Sequence, residues 1–163
     1  MVVLEKISNL FSQALLWIAG LFLVAMISIT GANIVIRLFW LPIRGTFELM
    51  GYFGAIVTAF ALGYTQIKRG HIAVDIVVLR FSKKTQKILT AVNHLICMFF
   101  FVIVTWQVFK HATTLRETGE VTETLQIVYY PFTYAVALGC LILAVTFFVG
   151  FLKSIFGDQG SSQ

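Results

Sequence analysis

The stretch ILTAVNHLICMFFFVIVTWQVF, residues 88–109, decides the fold. It runs for 22 residues without a Lys, Arg, Asp or Glu, and Lys110 closes it. About 20 apolar residues in a helix cross the hydrocarbon core of a bilayer. No water reaches the backbone there, so each N–H and C=O must pair within its own segment, and helix is the state that allows this. The stretch therefore predicts a transmembrane helix.

Three more blocks share its character. They run from about Leu10 to Ile36, Phe47 to Ile67 and Pro131 to Leu152, and stop at Arg37, at Lys68-Arg69 and at Lys153. The first is far longer than the roughly 7–15 apolar residues of a secretion signal, so it is expected to stay as a span. The composition agrees: 59% of the 163 residues are hydrophobic and only 12% charged, too few for the polar coat of a soluble domain. The expected fold is an all-α membrane protein, one domain of four transmembrane helices over residues 1–156. The polar tail, residues 157–163, is expected to be disordered.

Charge placement sets the orientation. Six of the twelve basic residues fall between Lys68 and Lys87; with Lys6 and Lys153 they put eight on one side. Arg37, Arg44, Lys110 and Arg116 lie on the other. By the positive-inside rule both termini and the middle connection are cytoplasmic. The net charge of +5 is thus a topology and lipid-headgroup signal rather than a nucleic-acid footprint. Trp40, Trp106, Tyr129 and Tyr130 fall at the expected outer ends of spans, where aromatic rings favour the interface. Pro131 suits a first helical turn.

The connections carry local signals. From His71 to Phe81, Val74, Val77, Val78 and Phe81 repeat at helical spacing, which predicts a short amphipathic helix lying in the interface between the second and third spans. Ser82 reads as the N-cap of the third helix, and Gly119 as its C-cap if that helix extends beyond the membrane.

Few residues offer chemistry. Glu48 is the one carboxylate close to the interior of a span. Three readings are open for it: a proton or cation site, a favourable charge at a helix N-terminus, or an ion pair with a basic residue such as Arg44. Asn93 and His94 lie about two turns into the third span. Bis-histidine haem ligation needs facing histidines at matched depth, and His71 and His111 are not placed for it. Cys97 and Cys140 fall in apolar blocks as small hydrophobes. No nucleophile elbow, phosphate loop or metal-ligand spacing is present, so neither catalysis nor a cofactor is expected. The most specific intramembrane feature is steric. Gly51, Ala55, Ala59 and Gly63 recur every four residues, with a shorter version at Ala135 and Gly139. Small faces let helices approach closely, either within the chain or against a partner subunit.

The run NIVIRLFWLPIRGTFELMGYFGAIVTAFALGYTQIKRGHIAVDIVVLRFSKKTQKIL, residues 33–89, adds a further step. Its Asn33 and Arg37 close the first span, Glu48 opens the second, and Arg69, Gly70, His71, Ile72, Val74 and Asp75 form an R-G-H-I-x-V-D segment. This resembles the small membrane subunit of TRAP transporters, the tripartite ATP-independent periplasmic carriers, known as the DctQ family. LQIVYYPFTYAVALGCLILAV, leading into the fourth span, extends the likeness over about residues 10–152. The chain departs from many relatives in having a single acidic residue at Glu48 rather than an adjacent pair. The resemblance implies a fixed scaffold subunit in the bacterial or archaeal cytoplasmic membrane. It implies assembly with a large membrane subunit and a periplasmic substrate-binding protein, for sodium-driven uptake of organic acids. On that reading Arg44, Glu117, Glu120 and Glu123 are candidates for contact with the binding protein. A self-contained proton-coupled carrier and a haem-binding subunit are the alternatives; the first needs a mid-membrane carboxylate, which this chain lacks.

Overall fold

The computed structural model describes residues 2–39, 41, 43–67 and 82–156. Trp40, the expected interfacial helix, the motif residues Arg69, Gly70, His71 and Asp75, and the tail from residue 157 lie outside the described residues. The described residues form four helices: α1 (Val2–Phe39), α2 (Thr46–Ile67), α3 (Lys83–Thr118) and α4 (Tyr130–Phe156). Each contains a segment long and apolar enough to cross a membrane.

The capping residues set the ends of α3. Ser82 has extended backbone, and its hydroxyl accepts from the Thr85 amide at 3.4 Å. Gly119 ends the helix in the left-handed region at φ 65°, where a glycine avoids the Cβ clash. With 36 residues α3 is about 54 Å long, well beyond a hydrocarbon core of about 30 Å.

The helices do not form a closed bundle. α1 pairs antiparallel with α2, α2 runs beside α4, and α4 pairs antiparallel with α3. Among the described residues α3 therefore flanks the assembly, with α4 as its one close neighbour. The core sits where α1, α2 and α4 meet, with Leu15, Ala19, Ile56, Ala59 and Phe60 buried and Phe22, Phe132, Val136 and Ile142 packed around them. Gly139 lets the backbones of α2 and α4 approach closely. A Cβ there would lie 2.9 Å from both the Cβ and the carbonyl oxygen of Ala59.

The α3–α4 pair is aromatic and polar. Phe101 stacks on Phe147 with centroids 5.8 Å apart, and the His94 ring meets the edge of Phe147. His94 also covers Gly150, so a Cβ there would lie 2.6 Å from Nε2. Tyr134 and Thr113 join hydroxyls at 3.2 Å; Thr113 donates to Phe109 O, so Tyr134 is the donor.

Hydroxyl groups within the spans mostly find acceptors in their own helices. Thr58, Thr65, Thr105 and Thr146 each donate to the carbonyl four residues earlier. This satisfies the polar group without help from water, as a lipid environment requires. Ser8 meets Thr146 across α1 and α4 at 3.3 Å. Ser12, one turn on, is fully buried, and its hydroxyl has no partner.

Candidate functional site

Two short connections meet at the Glu48 end, and side chains rather than regular structure hold them. In the first, the Asn33 side-chain oxygen accepts from the Ile43 amide at 2.8 Å, tying the last turns of α1 to the link before α2. Thr46 donates to Ile43 O at 2.9 Å, and Gly45 turns the chain at φ 78°.

The second connection, residues 119–129, folds back on itself. Val121 and Val128 form an isolated antiparallel bridge. Thr122 N donates to Ile127 O at 3.0 Å, and Ile127 N donates to the Thr122 hydroxyl at 3.3 Å. Gln126 closes the loop in the left-handed region at φ 52°. Ala112 and Leu115 of α3 are buried at this end, as is Thr122.

Glu48 joins the two connections. Its Oε1 accepts from Thr124 N at 2.7 Å and its Oε2 from Leu125 N at 3.2 Å. One carboxylate thus satisfies two successive amides that the loop leaves unpaired. Leu125 packs directly on Gly45, leaving no room for a Cβ there. Tyr52, one turn further along α2, stacks on Tyr129 at 5.6 Å and on Phe132 at 5.4 Å. Tyr129 donates its hydroxyl to Glu120 at 2.5 Å. That bond, more than burial, pushes the Tyr129 phenol up to about 12, because losing its proton would set two negative charges together.

A cleft of about 490 Å³ opens beside these groups, lined by Glu48, Tyr52, Glu120, Val121, Thr122, Glu123 and Tyr129. It brings Glu48 together with Glu120 and Glu123, which lie far from it in sequence. Glu117 and Arg44 are exposed at the same end but do not line it. Of the three readings open for Glu48, its place in the first turn of α2 matches the helix-terminus one. Among the described residues it forms no ion pair with Arg44 or any other base; backbone amides take its oxygens. Arg37 is exposed at the end of α1.

The small-residue stripe of α2 divides. Ala59 and Gly63 are buried, Ala59 against Gly139 and Gly63 beside Ser12 and Ile142. Gly51 and Ala55 are exposed, and nothing lies within 4 Å of a Cβ built on Gly51. Ala135 is partly buried against the core. The roles of the Thr124 and Leu125 amides, and of Tyr52, gave no sign in the sequence. A backbone donor has no residue signature, and a tyrosine in a span reads as an interface anchor.

Residues 26–157 match the family model described as tripartite ATP-independent periplasmic transporters, DctQ component. No curated protein and no solved structure matches the chain.

Proposed function

The chain belongs to the DctQ component family of tripartite ATP-independent periplasmic transporters, and from that membership we propose that it is the small scaffold subunit of a sodium-driven importer of organic acids. The family is one of transporter subunits, not of enzymes. The subunit sits in the cytoplasmic membrane with both termini inside, so the Glu48 end faces the periplasm. It assembles with a large membrane subunit that holds substrate and sodium, and with a periplasmic substrate-binding protein.

The open arrangement of α3 carries this reading. Its apolar span contains no buried residue, and Ile96, Ile103 and Trp106 stand between 61 and 72% exposed. A self-sufficient carrier encloses a polar path between its helices. Here the core is packed with apolar side chains, and the flanks are left to lipid or to another subunit. Lipid covers such a surface at no cost; a scaffold uses part of it to enlarge the fixed wall against which a moving subunit works. Arg44, Glu117, Glu120 and Glu123 face the binding protein from the periplasmic end.

The test is co-expression with the large membrane subunit, purification in mild detergent, and uptake in liposomes driven by a sodium gradient. The expected result is co-purification, with uptake only when both membrane subunits and the binding protein are present. Transport by this chain alone would overturn the scaffold reading. Unchanged uptake after combined alanine replacement of Arg44, Glu117, Glu120 and Glu123 would overturn the docking assignment while leaving the scaffold role standing.

A further inference from the structure

We propose that Glu48 is the positioning residue of the docking surface, holding the 119–129 connection in place without itself meeting the binding protein. The proposal rests on the docking role given above to Glu120 and Glu123.

Both Glu48 oxygens are engaged, at 2.7 Å and 3.2 Å, by amides of the loop that carries those two carboxylates. The loop's amides thus take one acceptor position on each of the two carboxylate oxygens, which ties Glu48 to the loop at two points. Its position is set by α2, a helix buried against α1 and α4. Within itself the loop has the single Val121–Val128 bridge, the bonds of Thr122 to Ile127 and Gln126, and Tyr129 on Glu120; a two-stranded turn this short is marginal in water without outside support. That support comes from α2 and the link before it: the Glu48 carboxylate, Gly45 beneath Leu125, and Tyr52 against Tyr129. The result is that Glu120 and Glu123 line one cleft. Two carboxylates on one surface would select a basic region on the partner by charge complementarity.

Glu48 acts on binding through the loop, so its removal has a signature that direct contact would not give. The measurement uses the assembled membrane complex in nanodiscs and the purified cognate binding protein. Hydrogen exchange at Thr124 and Leu125 is read in parallel. Glu48→Ala is expected to speed exchange at those two amides by about tenfold or more, since charge-assisted bonds are lost. It should weaken binding to about the level of the Glu120→Gln/Glu123→Gln pair, with co-purification of the large subunit unchanged. The triple variant should bind no more weakly than the pair. Glu48→Gln keeps one acceptor oxygen and should fall between; it carries the test if Glu48→Ala does not assemble.

Wild-type binding by the Glu120→Gln/Glu123→Gln pair would overturn the docking role itself. Weak binding by that pair, with wild-type binding by Glu48→Ala despite faster exchange, would overturn the positioning role alone. A triple variant weaker than the pair by the full factor of Glu48→Ala would overturn it too, since Glu48 would then meet the partner directly.

Discussion

The contact between Gly139 and Ala59 is the sharpest place to test how this protein holds together. In lipid the hydrophobic effect does not drive helices together, so van der Waals packing and hydrogen bonds carry the association. Replacing Gly139 with Ala puts a Cβ at 2.9 Å from Ala59 Cβ, 2.9 Å from its carbonyl oxygen and 3.0 Å from its carbonyl carbon. Carbon atoms rest at about 3.5–4.0 Å, so the helices must part by about 0.6 Å or more. The neighbouring atoms are mostly backbone and cannot rotate away. Overpacking of this kind costs about 1–3 kcal/mol. The matched control is Gly51→Ala, where nothing lies within 4 Å. Both variants change intrinsic helix preference alike, so their difference isolates the contact. The assay is reversible unfolding in mixed lipid–SDS micelles, followed by tryptophan fluorescence. Adding Ala59→Gly to Gly139→Ala removes the Cβ contact but leaves the two backbone contacts, so it should restore only part of the loss. If Gly139→Ala proves as stable as Gly51→Ala, α2 and α4 do not touch at this point.

Other outcomes follow from the same contacts. Gly45→Ala meets both a positive φ of 78° and the Leu125 side chain, whereas Gly119→Ala meets only a positive φ of 65°. Thermal unfolding of the purified protein should therefore show Gly45→Ala as clearly the worse, with Gly119→Ala losing about 1 kcal/mol. Asn33→Ala removes the acceptor of the Ile43 amide and should cost about 1 kcal/mol, seen as faster hydrogen exchange at Ile43; Asn33→Asp keeps the acceptor and should retain protection. Ser12→Ala deletes a buried hydroxyl that has no partner and should be neutral or stabilising in the micelle assay, while Ser8→Ala loses the bond to Thr146 and should cost about 0.6 kcal/mol. The Tyr129 phenol, raised from 10.0 to about 12, keeps its bond to Glu120 fully below pH 10 and loses it as pH rises through about 12. Glu120→Gln should bring the Tyr129 ultraviolet titration back toward the ordinary tyrosine value.

Much of the fold was legible because lipid leaves the chain few choices. Twenty apolar residues in a row have one stable state in hydrocarbon, so the four helices follow from block length. The ends of α3 were legible because Ser82 and Gly119 each do one local job that needs no neighbour. The Glu48 interaction was not legible, although the residue itself stood out. It joins positions 76 and 77 residues apart through backbone amides, and any sequence offers such donors in the loop. Asn33 was visible as a motif residue for the same reason that its role was hidden: the pattern names the side chain and not the amide of Ile43. The division of the α2 stripe was also beyond the sequence. Gly51, Ala55, Ala59 and Gly63 share one face, but α4 crosses that face at Ala59, so only half of it is covered.

That half-covered face explains why the Glu48 end and the middle of the membrane differ in what they can do. From Ala59 toward the other end, the small-residue face of α2 is covered by Gly139, Ile142 and Ser12. From Ala55 toward Glu48 the small-residue face is open. The loop at 119–129 is anchored over this same end by Glu48 and Tyr52. A partner helix seated on Gly51 and Ala55 would therefore pack against the turn of α2 that also holds the loop. Glu48 and Tyr52 flank Gly51 in sequence, so displacement of that turn moves the anchor of Thr124 and Leu125 with it. Packing on Gly51 and Ala55 is therefore expected to bear on the loop that carries Glu120 and Glu123. At the opposite end, α3 and α4 are joined by Ser154 donating to Lys87 O at 3.1 Å, a contact that bears on neither surface.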